Sequence, residues 1–147
     1  YLQRAEELNE NRNIVKNGDV LLASTGDGTL GKCCVYDKKF PAIADGHVTI
    51  IRVDKKVIDP YYLADYLRCG FGASQINRLY SGSTGLIELT PEQVDVILID
   101  IMLDKEGVDI QKKKSKSIRN IEKKYQKQIE KAEKTLIGIE DVWEETD

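Results

Sequence analysis

Gly26, Gly28 and Gly31, closed by Lys32, have the composition of a phosphate-binding loop. As Gly26-Asp-Gly-Thr-Leu-Gly31-Lys32 they approximate the P-loop of nucleotide hydrolases. As Gly26-x-Gly28-x-x-Gly31 they match a dinucleotide fingerprint, with Asp45 at a spacing suited to a ribose contact. Both readings need a helix that begins at the loop, so that unpaired N–H groups and the helix dipole meet the phosphates. The P-loop also needs Ser or Thr after the lysine to hold magnesium, and Cys33 stands there instead. The next residues, KCCVYD, are rich in strand formers. The glycines are therefore read as a sharp strand-to-strand connection with positive φ that leaves backbone amides exposed.

The remaining reactive residues are sparse. Asp59-Pro-Tyr-Tyr62 is close to the motif with which amino-methylating DNA methyltransferases hold a flipped base, but the second proline is missing and the stretch opens a helical pattern. His47 is the single histidine, with no nucleophile or metal partner suggested by spacing. Cys33, Cys34 and Cys69 are odd in number and lack metal-ligand spacing; two neighbours on a strand point to opposite faces. They are read as reduced thiols packed as small apolar groups. No pair of carboxylates is singled out. The expectation is a chain with no catalytic centre, no metal and no cofactor of its own.

The elements that must position these residues are set by charge and period. The chain has 147 residues and a formal net charge of −3. Residues 1–109 carry 12 Lys/Arg against 17 Asp/Glu, residues 110–139 carry 10 against 3, and residues 140–147 carry none against 5. An acidic body is followed by a basic segment and an acidic tail, so nucleic-acid binding has to be argued locally. No apolar run reaches membrane-spanning length and the N-terminus is unlike a signal peptide, which leads to a cytoplasmic expectation without membrane contact.

Residues 2–8 are compatible with a short helix. Asn17-Gly18 reads as a turn feeding a strand over 20–24, with further strands at 32–37, in PAIAD and at 47–53. Asp59 and Pro60 read as N-cap and first residue of a helix whose face carries Tyr62, Leu63, Tyr66 and Leu67. A glycine break at 70–72 precedes a second helix over 73–79, then a loop at 80–85, a short LIEL strand, a turn or helix start at TPEQ and an apolar strand at 96–103. Beyond Gly107 one long helix is predicted. Ile118, Ile121, Tyr125, Ile129, Ala132, Leu136, Ile139 and Trp143 recur at spacings of 3 and 4, forming one apolar stripe among lysines. The stripe calls for a partner helix. The fold class expected is α+β: a bent, mainly antiparallel sheet with short helices over 1–107, a coiled-coil-type spacer helix over 108–143 and an acidic tail over 144–147.

NGDVLLASTGDGTLGKCCVYD, PAIADGHVTIIRV, IDPYYLADYLR, SGSTGLIELTPEQVDVILI and the long helix, in that order, resemble the target recognition domain of type I restriction–modification specificity subunits, or its equivalent fused to N6-adenine methyltransferases. The resemblance spans residues 14–139. Two departures stand out: strand 96–103 lacks the proline-rich ending, and the chain before the GD strand is short, implying an N-terminally abbreviated unit. The resemblance implies reading of one half of a bipartite sequence in double-stranded DNA. It further implies docking of a methyltransferase subunit or domain, and antiparallel helix pairing with a second recognition unit through Ile118, Ile121, Tyr125, Ile129, Ala132, Leu136 and Ile139. With that function, Ser24, Thr25, Thr29 and Lys32 are candidates for the phosphate backbone. Arg52, Arg68 and Arg78 are candidates for guanine edges, and Tyr80, Ser81, Ser83 and Thr84 for contacts from the loop. The alternative is a protein-interaction module that assembles through the helix without DNA.

Overall fold

The computed structural model describes residues 13–83, 86–101 and 104–144 of the chain. Two compact units divide it, Tyr1–Lys112 and Lys113–Asp147. The architecture is α+β, with small antiparallel sheets, short helices and a long C-terminal helix. The helix-compatible residues 2–8 lie outside the described residues.

The sheet structure comes as three small pieces. β1 (Ile14–Val15) pairs with β4 (Ala42–Ile43). β2 (Val20–Ala23) is the centre of a three-stranded sheet, flanked by β3 (Cys33–Val35) and β5 (Val48–Ile51), both antiparallel to it. β6 (Ser81–Ser83) and β7 (Leu86–Glu88) form a hairpin. Val20 and Leu22 alternate inward from β2 and are fully buried, as one covered face of a sheet requires. They meet Leu63, Leu67, Ile76 and Leu89 in one core. Each large side chain so buried stabilises the fold by about 1.5–3 kcal/mol before the entropy of ordering is counted.

α1 (Pro60–Arg68) covers the sheet with Leu63, Ala64 and Leu67, the i, i+4 spacing of one helix face. Its start follows the sequence expectation: the Asp59 carboxylate accepts the Tyr62 N–H at 3.1 Å, and Pro60 occupies a position whose N–H has no helical partner. The DPYY stretch is thus a helix cap. Cys69, with φ −143° and ψ 165°, is extended and separates α1 from α2 (Gly70–Leu79). The glycine break expected at 70–72 is instead the first turn of α2. Gly72 is there because a Cβ would overlap the Tyr66 carbonyl, so the two helices touch through backbone.

Two further expectations change. Residues 81–83, read as loop, form β6; Ser-Gly-Ser has no apolar alternation, and backbone pairing to β7 makes the strand. Of the strand expected at 96–103, residues 102–103 lie outside the described residues, and residues 96–101 keep the inward–outward alternation but join no ladder among the described residues. Before them, α3 (Pro91–Asp95) starts with a reciprocal cap in which Thr90 and Gln93 bond each other's backbone N–H. α4 (Lys105–Glu144) is a 40-residue helix that begins before Gly107, since Asp104 accepts the Gly107 N–H at 2.7 Å and caps the first turn. Val108 and Gln111 of α4 are buried, and the Asp59 N–H donates to Gln111 Oε1 at 2.9 Å. Among the described residues no helix is long and apolar enough to cross a membrane.

Candidate nucleic-acid interface

The fold brings together two segments that the sequence singled out separately. The turn after β2 and the β6–β7 hairpin are hydrogen-bonded neighbours: Leu89 N–H donates to the Ser24 carbonyl at 2.8 Å, and Gly26 N–H to the Ile87 carbonyl at 3.2 Å. Thr25 and Glu88 form a bridge between them. His47 joins from the start of β5: its carbonyl accepts the Ser24 N–H at 2.9 Å, and its Nδ1 lies 2.8 Å from Thr25 Oγ1.

The glycine turn is a hairpin connection that leads into β3, as the residues predict, but it does not leave its amides open as expected. The N–H groups of Gly26, Thr29, Leu30, Gly31 and Lys32 all donate to carbonyls of the protein, because the turn closes on itself and on β7. Gly26, Gly28 and Gly31 adopt φ of 91°, 75° and 85°, the left-handed region that a Cβ penalises. Both ends are tied to each other, with Gly31 N–H donating to the Ala23 carbonyl at 2.9 Å and Ala23 N–H to the Lys32 carbonyl at 2.8 Å. The Thr29 hydroxyl turns back to the Thr25 and Gly26 carbonyls, at 2.8 and 3.1 Å. Its hydrogen is engaged, so Thr29 faces an incoming phosphate with an acceptor rather than a donor. Ser24 is buried and lies away from any surface contact. Thr25 is half-buried, while Thr29 and Lys32 are exposed.

The arginines divide. Arg52 is an anchor for the fold: Nε donates to Asp19 Oδ1 at 2.9 Å, and Nη2 to Asp19 Oδ2 and to the Ile14 carbonyl, both at 2.8 Å. A guanine edge needs two parallel donors, and with Nε and Nη2 engaged neither side of the fork is available. The sequence missed this because Asp19 is 33 positions away. Burial by itself would raise the Asp19 carboxyl. Hydrogen bonds from Arg52 and from the Lys16 N–H, with the Arg52 charge, outweigh it and hold the carboxyl below its ordinary value. Arg68 Nη2 donates to Asp65 Oδ1 at 2.7 Å, yet the residue is exposed and shares a cleft of about 410 Å³ with Lys32, Leu30, Cys33 and Asn77. Arg78 is exposed on the last turn of α2 and forms no ion pair among the described residues. Tyr80, Ser81 and Ser83 are exposed at and beyond its end. Thr84 lies outside the described residues.

The Cys33 thiol, between β3 and that cleft, is pushed up to about 12, first by burial and then by neighbouring Cys34, which keeps it protonated. No group of three His, Cys, Asp or Glu side chains that could hold a metal ion occurs among the described residues.

In the second unit, Ile118, Ile121, Tyr125, Ile129, Ala132 and Leu136 are all exposed, the isoleucines, Tyr125 and Leu136 by 38–61%. The side chain of Ile139 lies outside the described residues. A scan against protein-family models finds no match, and no curated protein matches the chain.

Proposed function

We propose that this chain is a non-catalytic specificity component: it reads one half of a bipartite duplex DNA site and assembles through α4. The observation that carries the reading is the juxtaposition of the glycine turn and the β6–β7 hairpin. The turn, with exposed Lys32, lies against β7, and exposed Ser81 and Ser83 stand on β6 across that strand; the turn also lines the cleft that holds Arg68. Short hydroxyls there suit phosphate and base-edge contacts, with Lys32 and Arg78 as cations. Arg52 and Ser24 have no part in it. The resemblance to specificity subunits adds the expected setting, a methyltransferase partner and antiparallel pairing of spacer helices.

The test is selection of the chain from a randomised duplex pool at low and moderate salt. Enrichment of a short motif supports the reading, and Lys32→Ala is then expected to weaken all sequences alike and to flatten the salt slope by about 0.9. Retention without a motif, lost as salt rises, refutes it and leaves the lysines of α4 as a nonspecific polycation. The exposed stripe on α4 supports a second reading, a protein-interaction module; absence of DNA binding at either salt, also with an N6-adenine methyltransferase present, would favour it.

A further inference from the structure

Between Val96 and Ile101 the chain has the side-chain alternation of a strand with no strand beside it among the described residues. Ile97, Ile99 and Ile101 pack on the core, whereas Val96 and Leu98 are 60% and 73% exposed. In such a segment the N–H and C=O of one residue share an edge, and those of the next residue face the opposite edge. One edge is occupied. The Leu98 N–H donates to Gln75 Oε1 and the Leu98 carbonyl accepts from Gln75 Nε2, both at 2.9 Å. The Tyr66 hydroxyl reaches the same carbonyl at 3.1 Å, and the Tyr62 hydroxyl reaches that of Asp100 at 3.1 Å.

The other edge belongs to Ile97, Ile99 and Ile101. The Ile97 N–H turns back to the Val94 carbonyl at 3.1 Å. Among the described residues the N–H and C=O of Ile99 have no partner. Backbone groups in a folded protein are paired or face water, and an unpaired row of them is a template for another strand. Proteins commonly block such an edge with lysine. Here residues 89–104 contain no Lys or Arg at all, and Glu92, Asp95, Asp100 and Asp104 are all exposed.

We propose that the Ile97–Ile101 edge is a docking site for an extended, basic segment of a partner protein, which adds as a strand along Ile99. Its apolar residues would cover Val96 and Leu98, and its Lys or Arg side chains would meet Asp95 and Asp100. A second copy of the same edge fits poorly, because carboxylates would face carboxylates. The residues of this edge are none of those named for the proposed DNA interface, so the proposal stands without that reading.

Amide exchange of the full chain tests the proposal, with the peptide Lys-Thr-Val-Thr-Val-Thr-Lys, which puts its Lys and Val side chains on one face, as the Lys/Val probe and Glu-Thr-Val-Thr-Val-Thr-Glu as the Glu/Val control. Without peptide, Ile99 N–H is expected to exchange quickly while Leu98 N–H is protected. The Lys/Val peptide should slow Ile99 by about tenfold or more at saturation, and the Glu/Val peptide should leave it unchanged. Leu98→Lys, at a side chain that faces water, should weaken the Lys/Val peptide by about tenfold through a lost apolar contact and a like charge. Protection of Ile99 in the chain alone would overturn the proposal, since the edge would already be covered. So would equal protection by both peptides, or none by either at millimolar concentration.

Discussion

Removing the Asp19 carboxylate should loosen the sheet at the end opposite the glycine turn. Asp19 is 3% exposed and accepts three hydrogen bonds: from the Lys16 N–H at 2.7 Å, Arg52 Nε at 2.9 Å and Arg52 Nη2 at 2.8 Å. Through Arg52 it also holds the Ile14 carbonyl, so β1, the 16–19 turn and β5 meet on one side chain. Bonds to a charged acceptor contribute about 1.5–3 kcal/mol each when both partners are buried. The Arg52 side chain is 53% exposed, however, and solvent screens its share to about 1 kcal/mol. The orphaned Lys16 N–H and the vacated space add about 1–2 kcal/mol. Asp19→Ala is thus expected to cost about 2–3 kcal/mol, Arg52→Ala about 1 kcal/mol, and the pair about 1 kcal/mol less than the sum. Urea titration read at the amide signals of Val20 and Leu22 measures all three. A loss below about 0.5 kcal/mol for Asp19→Ala, or additive single losses, would refute the account. The pH dependence has a definite sign. A carboxyl held below its ordinary value stabilises the fold fully above about pH 4, and that contribution disappears as pH falls through the lowered value. The gap between wild type and Asp19→Ala should hold steady from neutral pH to about 5 and close in more acid solution.

Gly72→Ala is expected to destabilise by about 2 kcal/mol or more, because the new methyl meets the Tyr66 carbonyl and neither helix can move without disturbing Leu67 and Ile76; a melting temperature within a degree of wild type would contradict this. Gln75→Ala should cost about 1–2 kcal/mol and release the Leu98 amide to fast exchange, since one side chain satisfies both its N–H and its C=O. Self-association through the α4 stripe should strengthen as salt rises, because residues 110–139 carry 10 Lys/Arg against 3 Asp/Glu and two copies repel. Sedimentation equilibrium measures it, with Ile129→Lys expected to remain monomeric at every salt concentration.

What the sequence made legible was local. The α1 cap needs only Asp59, Pro60 and the apolar spacing behind them, and all three lie within nine positions. The glycine turn reads as strand-to-strand because the strand formers of KCCVYD follow it in place of a helix, and it does lead into β3. The long helix was plain from its period, although its start was placed after Gly107 when the Asp104 cap lies before it. What stayed hidden depends on partners distant in the chain. β1 and β6 are two and three residues long and exist through pairing with β4 and β7, not through their own composition. The apolar run 96–103 reads as a strand, whereas the partners of its residues 98 and 100 are the side chains of Tyr62, Tyr66 and Gln75. In the candidate interface the glycine turn and the serines were visible as small exposed residues, but their adjacency was not. Arg52 could not be told from Arg78 by type; buried Asp19, 33 positions before it, decides its role.

Gln75 does for Leu98 what a neighbouring strand does elsewhere, and a side chain that imitates a strand is a short one. It fastens one residue and stops. A ladder of several pairs resists change because several substitutions are needed to undo it. Here one codon decides whether the segment is tied to α2. The Leu98 N–H can therefore be freed or fastened by drift at a single position, while the Tyr66 and Tyr62 hydroxyls keep the Leu98 and Asp100 carbonyls and the strands around Val20 and Leu22 keep their register.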